Sequence, residues 1–255
     1  MQTQNLRYAP HQPIGLYRPE FEHDACGVGF VARTTGQAGH DIVKYALQAV
    51  GCMKHRSGID ADGQSGDGAG ILMQLPHRLL AQDIDTLPAQ GDYGVGMFFL
   101  PPSYEDAVSW VETTLTRLVI EQTKIANFEP TLIWRKLPLN FEALGPTARR
   151  TCPNLQQLII IRPAHIHRGA DFERFLFTLR KRLETLAHQT EGLHDFYIAS
   201  FSAQTVVYKG LMLSPYLADF YLDLANPDCE TALAVIHARY STNTPRFGRA
   251  PNRTA

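Results

Sequence analysis

Glu22-His23-Asp24-Ala25-Cys26-Gly27-Val28-Gly29-Phe30-Val31-Ala32 is the stretch on which the fold turns. Small and apolar residues alternate over 26–32, a pattern that predicts a first β-strand with a cysteine at its start, facing a cleft. Residues 1–25 are polar and interrupted by Pro10, Pro13 and Pro19, which predicts an extended leader. Most polar N-termini are simply unstructured, and most cysteines pack as small buried hydrophobes. Removal of residues 1–25 opens a different chemistry, because Cys26 would then carry a thiol and a free α-amine, nucleophile and base on one residue. An α-amine titrates near pH ~8, so it can accept a thiol proton close to neutrality. In the uncut chain that nitrogen is an amide and cannot act as a base.

With 255 residues, 44% of them hydrophobic and 19% charged, the chain has the make-up of one large globular domain. A net charge of −1 with mixed signs throughout gives no footprint for nucleic acid or an anionic membrane. The leader has no apolar core of the secretory kind, and no run approaches the ~20 apolar residues of a membrane span, which predicts a cytoplasmic protein. Cys26, Cys52, Cys152 and Cys229 are widely spaced with no C-x-x-C pair, against both a zinc knuckle and a disulfide framework.

Helical spacing of Ile42, Val43, Ala46, Leu47, Val50 and Met53 predicts a first helix, and a glycine-rich segment over 57–70 then leads into a strand at 71–75. A strand is expected at 94–100. Tyr104, Val108, Val111, Leu115 and Leu118 mark a second helix with Ser103 as its N-cap after Pro101-Pro102. After a strand at 155–161, Phe172, Phe175, Leu176, Leu179, Leu183 and Leu186 write a third helix capped near Asp171. Segments 196–201 and 205–208 predict a hairpin, followed by a short helix near 215–222 and a final strand at 232–237. Strands with intervening helices indicate an α+β layered class.

Several motifs carry chemistry. They are His55-Arg56-Ser57-Gly58-Ile59-Asp60-Ala61-Asp62-Gly63-Gln64-Ser65-Gly66-Asp67-Gly68-Ala69-Gly70-Ile71, Phe196-Tyr197-Ile198-Ala199-Ser200, Val207-Tyr208-Lys209-Gly210 and His237-Ala238-Arg239-Tyr240-Ser241-Thr242-Asn243-Thr244. With the Cys26 segment they resemble, in order and spacing over about 14–244, the N-terminal class II glutamine amidotransferase domain of the glutamate synthase large subunit. The resemblance implies an αββα sandwich of the N-terminal nucleophile hydrolase type, incomplete at the C-terminus. It also implies a propeptide 1–25 cut before Cys26, the domain then running over 26–255. Cys26 becomes the catalytic nucleophile that splits L-glutamine into glutamate and ammonia, and the whole enzyme uses that ammonia to make glutamate from 2-oxoglutarate. Arg239 matches the arginine that grips the substrate α-carboxylate, a task suited to a guanidinium, whose planar fork makes two parallel hydrogen bonds. Arg56 lies 30 positions after Cys26 and matches an active-site arginine that supports the nucleophile loop, with Ser57 standing where the family commonly has glycine. A serine there would not tolerate a glycine-only backbone angle.

The cofactors implied are FMN and an iron–sulfur cluster, both in the whole enzyme and neither in these residues. Partners implied are the remainder of the synthase chain and a small subunit or ferredoxin. Gly66-Asp67-Gly68-Ala69-Gly70 fits no nucleotide-binding pattern and predicts a tight turn, while His165-Ile166-His167 lacks the third ligand a metal needs. The resemblance fails at the C-terminal end. No Asn-Gly pair occurs anywhere in the chain, and in the family such a pair forms the oxyanion hole; the segment 244–255 departs from the pattern, as a truncated or frameshifted copy would. Loss of one oxyanion donor costs ~10²–10³ in rate, so the chain alone is expected to be nearly inactive. The competing expectation is a glutamine-binding scaffold module without turnover, and an amidase acting on another amide is disfavoured by the carboxylate-binding arginine.

Overall fold

The computed structural model describes residues 27–238, apart from the side chains of His55 and Arg56. Two four-stranded antiparallel sheets form the frame. The first takes β1 (Gly27–Ala32), β2 (Ala69–Gln74), β7 (Thr205–Gly210) and β8 (Leu233–Ala238) in the order β1-β8-β2-β7. The second takes β3 (Tyr93–Leu100), β4 (Leu132–Lys136), β5 (Asn154–Ile161) and β6 (Tyr197–Ser202) in the order β4-β5-β3-β6. The helices are α1 (His40–Cys52), α2 (His77–Asp83), α3 (Ala107–Thr123), α4 (Pro146–Thr151), α5 (Ala170–Gln189) and α6 (Leu217–Phe220).

Periodicity explains the layers. Phe98 and Leu100 of β3 and Leu158 and Ile160 of β5 point to one side, where Val111, Leu115 and Leu118 of α3 and Phe172, Leu176 and Leu179 of α5 cover them. Val95, Met97, Phe99 and Ile159 point the other way into a second core, shared with Ile71 and Met73 of β2, Tyr208 of β7, Ile236 of β8 and Val43 and Ala46 of α1. Gly94 lies under Leu176, where a Cβ would come within 2.5 Å of a methyl carbon. The chain is thus α+β, with two packed sheets and helices against both, and among the described residues no helix is long and apolar enough to cross a membrane.

The two segments expected to form a hairpin do not pair with each other. β6 hydrogen-bonds to β3 and β7 to β2, so the two-residue link Ala203-Gln204 carries the chain from one sheet to the other. The corner is built from side chains: Glu173 accepts from Ala203 N at 2.7 Å and from the Ser202 hydroxyl at 2.9 Å, while Ser202 Oγ accepts from Gln204 N at 3.0 Å and Thr205 N at 3.1 Å. These bonds satisfy the corner amides that a hairpin ladder would have used.

Two helix starts also differ from expectation. α3 begins at Ala107, not beside Ser103, because turns closed by Tyr104 N to Pro101 O and Ala107 N to Tyr104 O come first. α5 begins after Gly169, whose φ of 76° suits glycine, and Asp171 lies in the first turn, where its charge favours the helix dipole. The strand β4 and the helices α2 and α4 were not foreseen; all three have seven residues or fewer. The short helix expected near 215–222 is α6, flanked by the 3-10 turns Ser214–Tyr216 and Leu222–Ala225.

A buried charge joins the layers. The Arg135 guanidinium on β4 makes two bonds to Asp223, of 2.7 and 2.8 Å, one to Gln157 of β5 at 2.8 Å and one to Asp83 at 2.6 Å. Tyr208 of β7 donates to the same Asp223 at 3.0 Å and accepts from Gln157 at 3.3 Å. Burial alone would depress the Arg135 pKa, and the Asp223 carboxylate outweighs that and holds it above its usual value. Asp223→Ala removes the buried carboxylate of this cation and leaves it Gln157 and the half-exposed Asp83, and urea unfolding is expected to show a loss of about 3–5 kcal/mol.

Candidate active site

One end of the first sheet gathers the segments in which the sequence placed its chemistry. Gly27 of β1 pairs with Ala238 of β8, Ala238 with Ala69 of β2, and Ala69 with Gly210 of β7. The chain therefore leaves towards Cys26, Arg239 and Gly68 from neighbouring positions in one row. Cys26 and Arg239 themselves lie outside the described residues. The 3-10 turn Met53–Arg56 packs against β8, so the backbone of Arg56 reaches the same region.

Between that turn and β2, residues 57–68 form a narrow loop rather than a nucleotide cradle. Ile59 bridges Gly66, Asp67 N donates to Gly58 O at 3.1 Å, and Gly58 N donates to the Asp67 carboxylate at 2.9 Å. Ser57 has φ −91° and ψ 130°, ordinary extended backbone, so serine fits where a glycine-only angle would have excluded it. Asp62 fastens the loop to α4. It accepts from Gln64 N at 2.9 Å and Ser65 N at 2.7 Å, and its other oxygen accepts from the Ser65 hydroxyl at 2.6 Å and Thr147 N at 3.0 Å. Ser65 Oγ in turn accepts from Ala148 N at 3.0 Å. The Ser65 hydroxyl and then the Thr147 amide hold the Asp62 carboxyl well below the usual range.

One residue in from the row of strand ends, Gly70 lies between Lys209 and His237. A Cβ on Gly70 would come within 2.3 Å of the His237 ring and 2.9 Å of Lys209 Cβ, so the two side chains close over the glycine. The Lys209 ammonium donates to the Tyr197 hydroxyl at 2.7 Å and stands 4.1 Å from that ring's centre. Burial pushes Lys209 down to about 8 and, with the Lys209 charge added, lowers His237.

Two other thiols, Cys152 and Cys229, separate from Cys26 on chemical grounds. Burial pushes Cys229 up to about 12 and Cys152 up to about 11, which keeps both as inert thiols at neutral pH. No group of three or more histidine, cysteine or acidic side chains among the described residues is spaced to hold a metal ion. His165 and His167 line a small hollow of about 270 Å³ with Gln122 and Arg174, far from the converging strand ends in sequence and sheet. A larger hollow of about 1070 Å³ runs along the edge strand β4, and none of its lining residues belongs to the row of strand ends. Sequence reasoning passed over Asp62 and Lys209 as site-building residues, although both stand inside motifs it singled out. The only signals for them were a carboxylate amid small turn residues and a lysine ending an apolar strand.

Comparison with known proteins places this frame in a class. The chain belongs to the class II glutamine amidotransferases, whose family profile matches residues 26–255. It is 41% identical over 243 residues to the glutamate synthase (NADPH) large chain of Bacillus subtilis strain 168, covering 94% of this chain and 16% of that one. It is 40% identical over 228 residues to ferredoxin-dependent glutamate synthase 2 of Synechocystis, covering 88% of this chain and 14% of that one. A third relative, the glutamate synthase (NADPH) large chain of Azospirillum brasilense, is 36% identical over 231 residues, 89% of this chain and 15% of its own. The chain thus spans about one-seventh of the length of these relatives.

Two outcomes test the site's construction. Because the folded pKa of Lys209 lies below its ordinary value, the unfolded chain binds more protons above about pH 8, and the Lys209 contribution to stability rises with pH from there towards its ordinary pKa. The melting temperature of the parent minus that of Lys209→Met is therefore expected to increase between pH 7 and pH 10; a flat difference would contradict a buried ammonium. Asp62→Ala is expected to speed amide hydrogen exchange at Ser65 and Thr147 while leaving β3 and β5 protected.

Proposed function

We propose that the chain is the glutamine-hydrolysing unit of a glutamate synthase and that Cys26, freed by removal of residues 1–25, is its nucleophile. The observation that carries this reading is the pairing of Gly27 with Ala238. In the sequence Cys26 directly precedes Gly27 and Arg239 directly follows Ala238, so both residues of the proposed chemistry adjoin this paired row. A thiol and a carboxylate-binding guanidinium suit the two ends of one glutamine. The family match starting at residue 26 supports the same boundary.

In this mechanism the Cys26 thiol gives its proton to its own α-amine and attacks the carboxamide carbon. The ammonium returns the proton to the departing ammonia, and water then hydrolyses the thioester to glutamate. Arg239 fixes the α-carboxylate, and Arg56 supports the loop beside the nucleophile. Ammonia passes to the synthase reaction, whose FMN and iron–sulfur cluster belong to other parts of a longer enzyme. The electron source, ferredoxin or a small subunit using NADPH, is a further part of the proposal, because the relatives' names divide between the two. A cytoplasmic setting completes it. The second reading is a module of the same fold that binds glutamine without turnover.

The intact mass of the purified protein should correspond to a chain beginning at Cys26. Glutamine hydrolysis by the longer enzyme that contains this chain should fall by at least ~10³-fold in Cys26→Ala. A folded Cys26→Ala variant that still hydrolyses glutamine at the parent rate would remove Cys26 as nucleophile. Calorimetric binding of glutamine without turnover by the cut chain would establish the second reading.

A further inference from the structure

Folded proteins leave few buried polar groups without a hydrogen-bond partner, and each exception calls for an explanation. Among the described residues three such side-chain atoms remain: Ser57 Oγ, Gln122 Oε1 and Ser214 Oγ. Gln122 is on α3 against α5, remote from the strand ends and half-buried. Ser57 is different. It is 8% exposed, and it follows the turn that carries Arg56. Asp67 N to Gly58 O closes the neck of the loop next to it, so Ser57 stands opposite Gly68, one step from the Ala69–Ala238 pair. Its own amide is satisfied by Lys54 O at 3.0 Å, whereas its buried hydroxyl has no partner. Nor does backbone geometry demand this residue, since its extended angles suit any side chain.

We infer that Ser57 is a substrate-binding residue whose hydroxyl hydrogen-bonds bound L-glutamine, supplying the partner that the folded chain does not. The inference rests on the function proposed above. A hydroxyl both donates and accepts, so it serves either the α-ammonium or the carboxamide oxygen of the amino acid. An idle buried hydroxyl costs stability in the unliganded protein, and binding recovers that loss. This makes a signature that a structural serine cannot give: removing the hydroxyl should strengthen the fold and weaken the ligand.

Ser214 provides the control. It is 2% exposed, its Oγ is equally idle, and its 3-10 turn packs against the turn preceding Ser57. Ser57→Ala and Ser214→Ala are each expected to raise the melting temperature by about 2–4 °C. Calorimetric titration with L-glutamine should then show about 3- to 10-fold weaker binding for Ser57→Ala alone. Unchanged affinity in Ser57→Ala, or an equal loss in both variants, would overturn the assignment. So would a drop in melting temperature in Ser57→Ala, which would mark the hydroxyl as structural. If the parent chain binds no glutamine, the functional reading beneath the inference fails first, and the parent titration alone shows it.

Discussion

The register of the first sheet is the constraint on which the rest depends. Gly27, Ala238, Ala69 and Gly210 form one row across four strands. A slip of one residue in any pair would turn Ile71, Tyr208 or Ile236 away from the shared core and bring Leu72, Lys209 or His237 into it. Burial on one face therefore fixes which residues stand at the end of every strand. The strand ends need no separate device to align them, because the hydrophobic pattern of the sheet already does so.

Much of this was legible in the sequence because it rests on short-range pattern. Ile42, Val43, Ala46 and Val50 announce α1, and the apolar runs of β3 and β5 announce strands buried on both faces. The corner between β6 and β7 was not legible. Two apolar segments around Ala203-Gln204 have the spacing of a hairpin, and only Glu173, some thirty residues upstream, reveals that the link is a crossing. β4 was hidden for a related reason, since Leu132-Ile133-Trp134-Arg135-Lys136 ends in two cations and one of them is buried. A buried arginine reads as surface until its carboxylate, Asp223, is brought to it from 88 residues away.

For the site, the sequence supplied motifs and the fold supplied their company. Glycines at 58, 66, 68 and 70 proclaim a turn, and the structure adds that Gly58 admits the Asp67 carboxylate and Gly70 admits Lys209 and His237. Asp62 is the clearest case of a residue invisible to periodicity. Its function is to satisfy amides on both sides of a gap, in its own loop and at the start of α4, and no local pattern encodes the second of these. Cys152 and Cys229 are set aside by burial, which sequence spacing could not establish.

The Ala203-Gln204 link has a mechanical meaning. β6 and β7 are edge strands of their respective sheets, and the three Cα steps from Ser202 to Thr205 span at most ~11 Å, so the sheets are leashed together along that border with little slack. Sliding one sheet over the other would stretch the leash, whereas spreading them at the opposite border would not. The corner thus holds the two sheets along one border as a spine holds the boards of a book, and the Arg135–Asp223–Tyr208 network ties β4 back to β7.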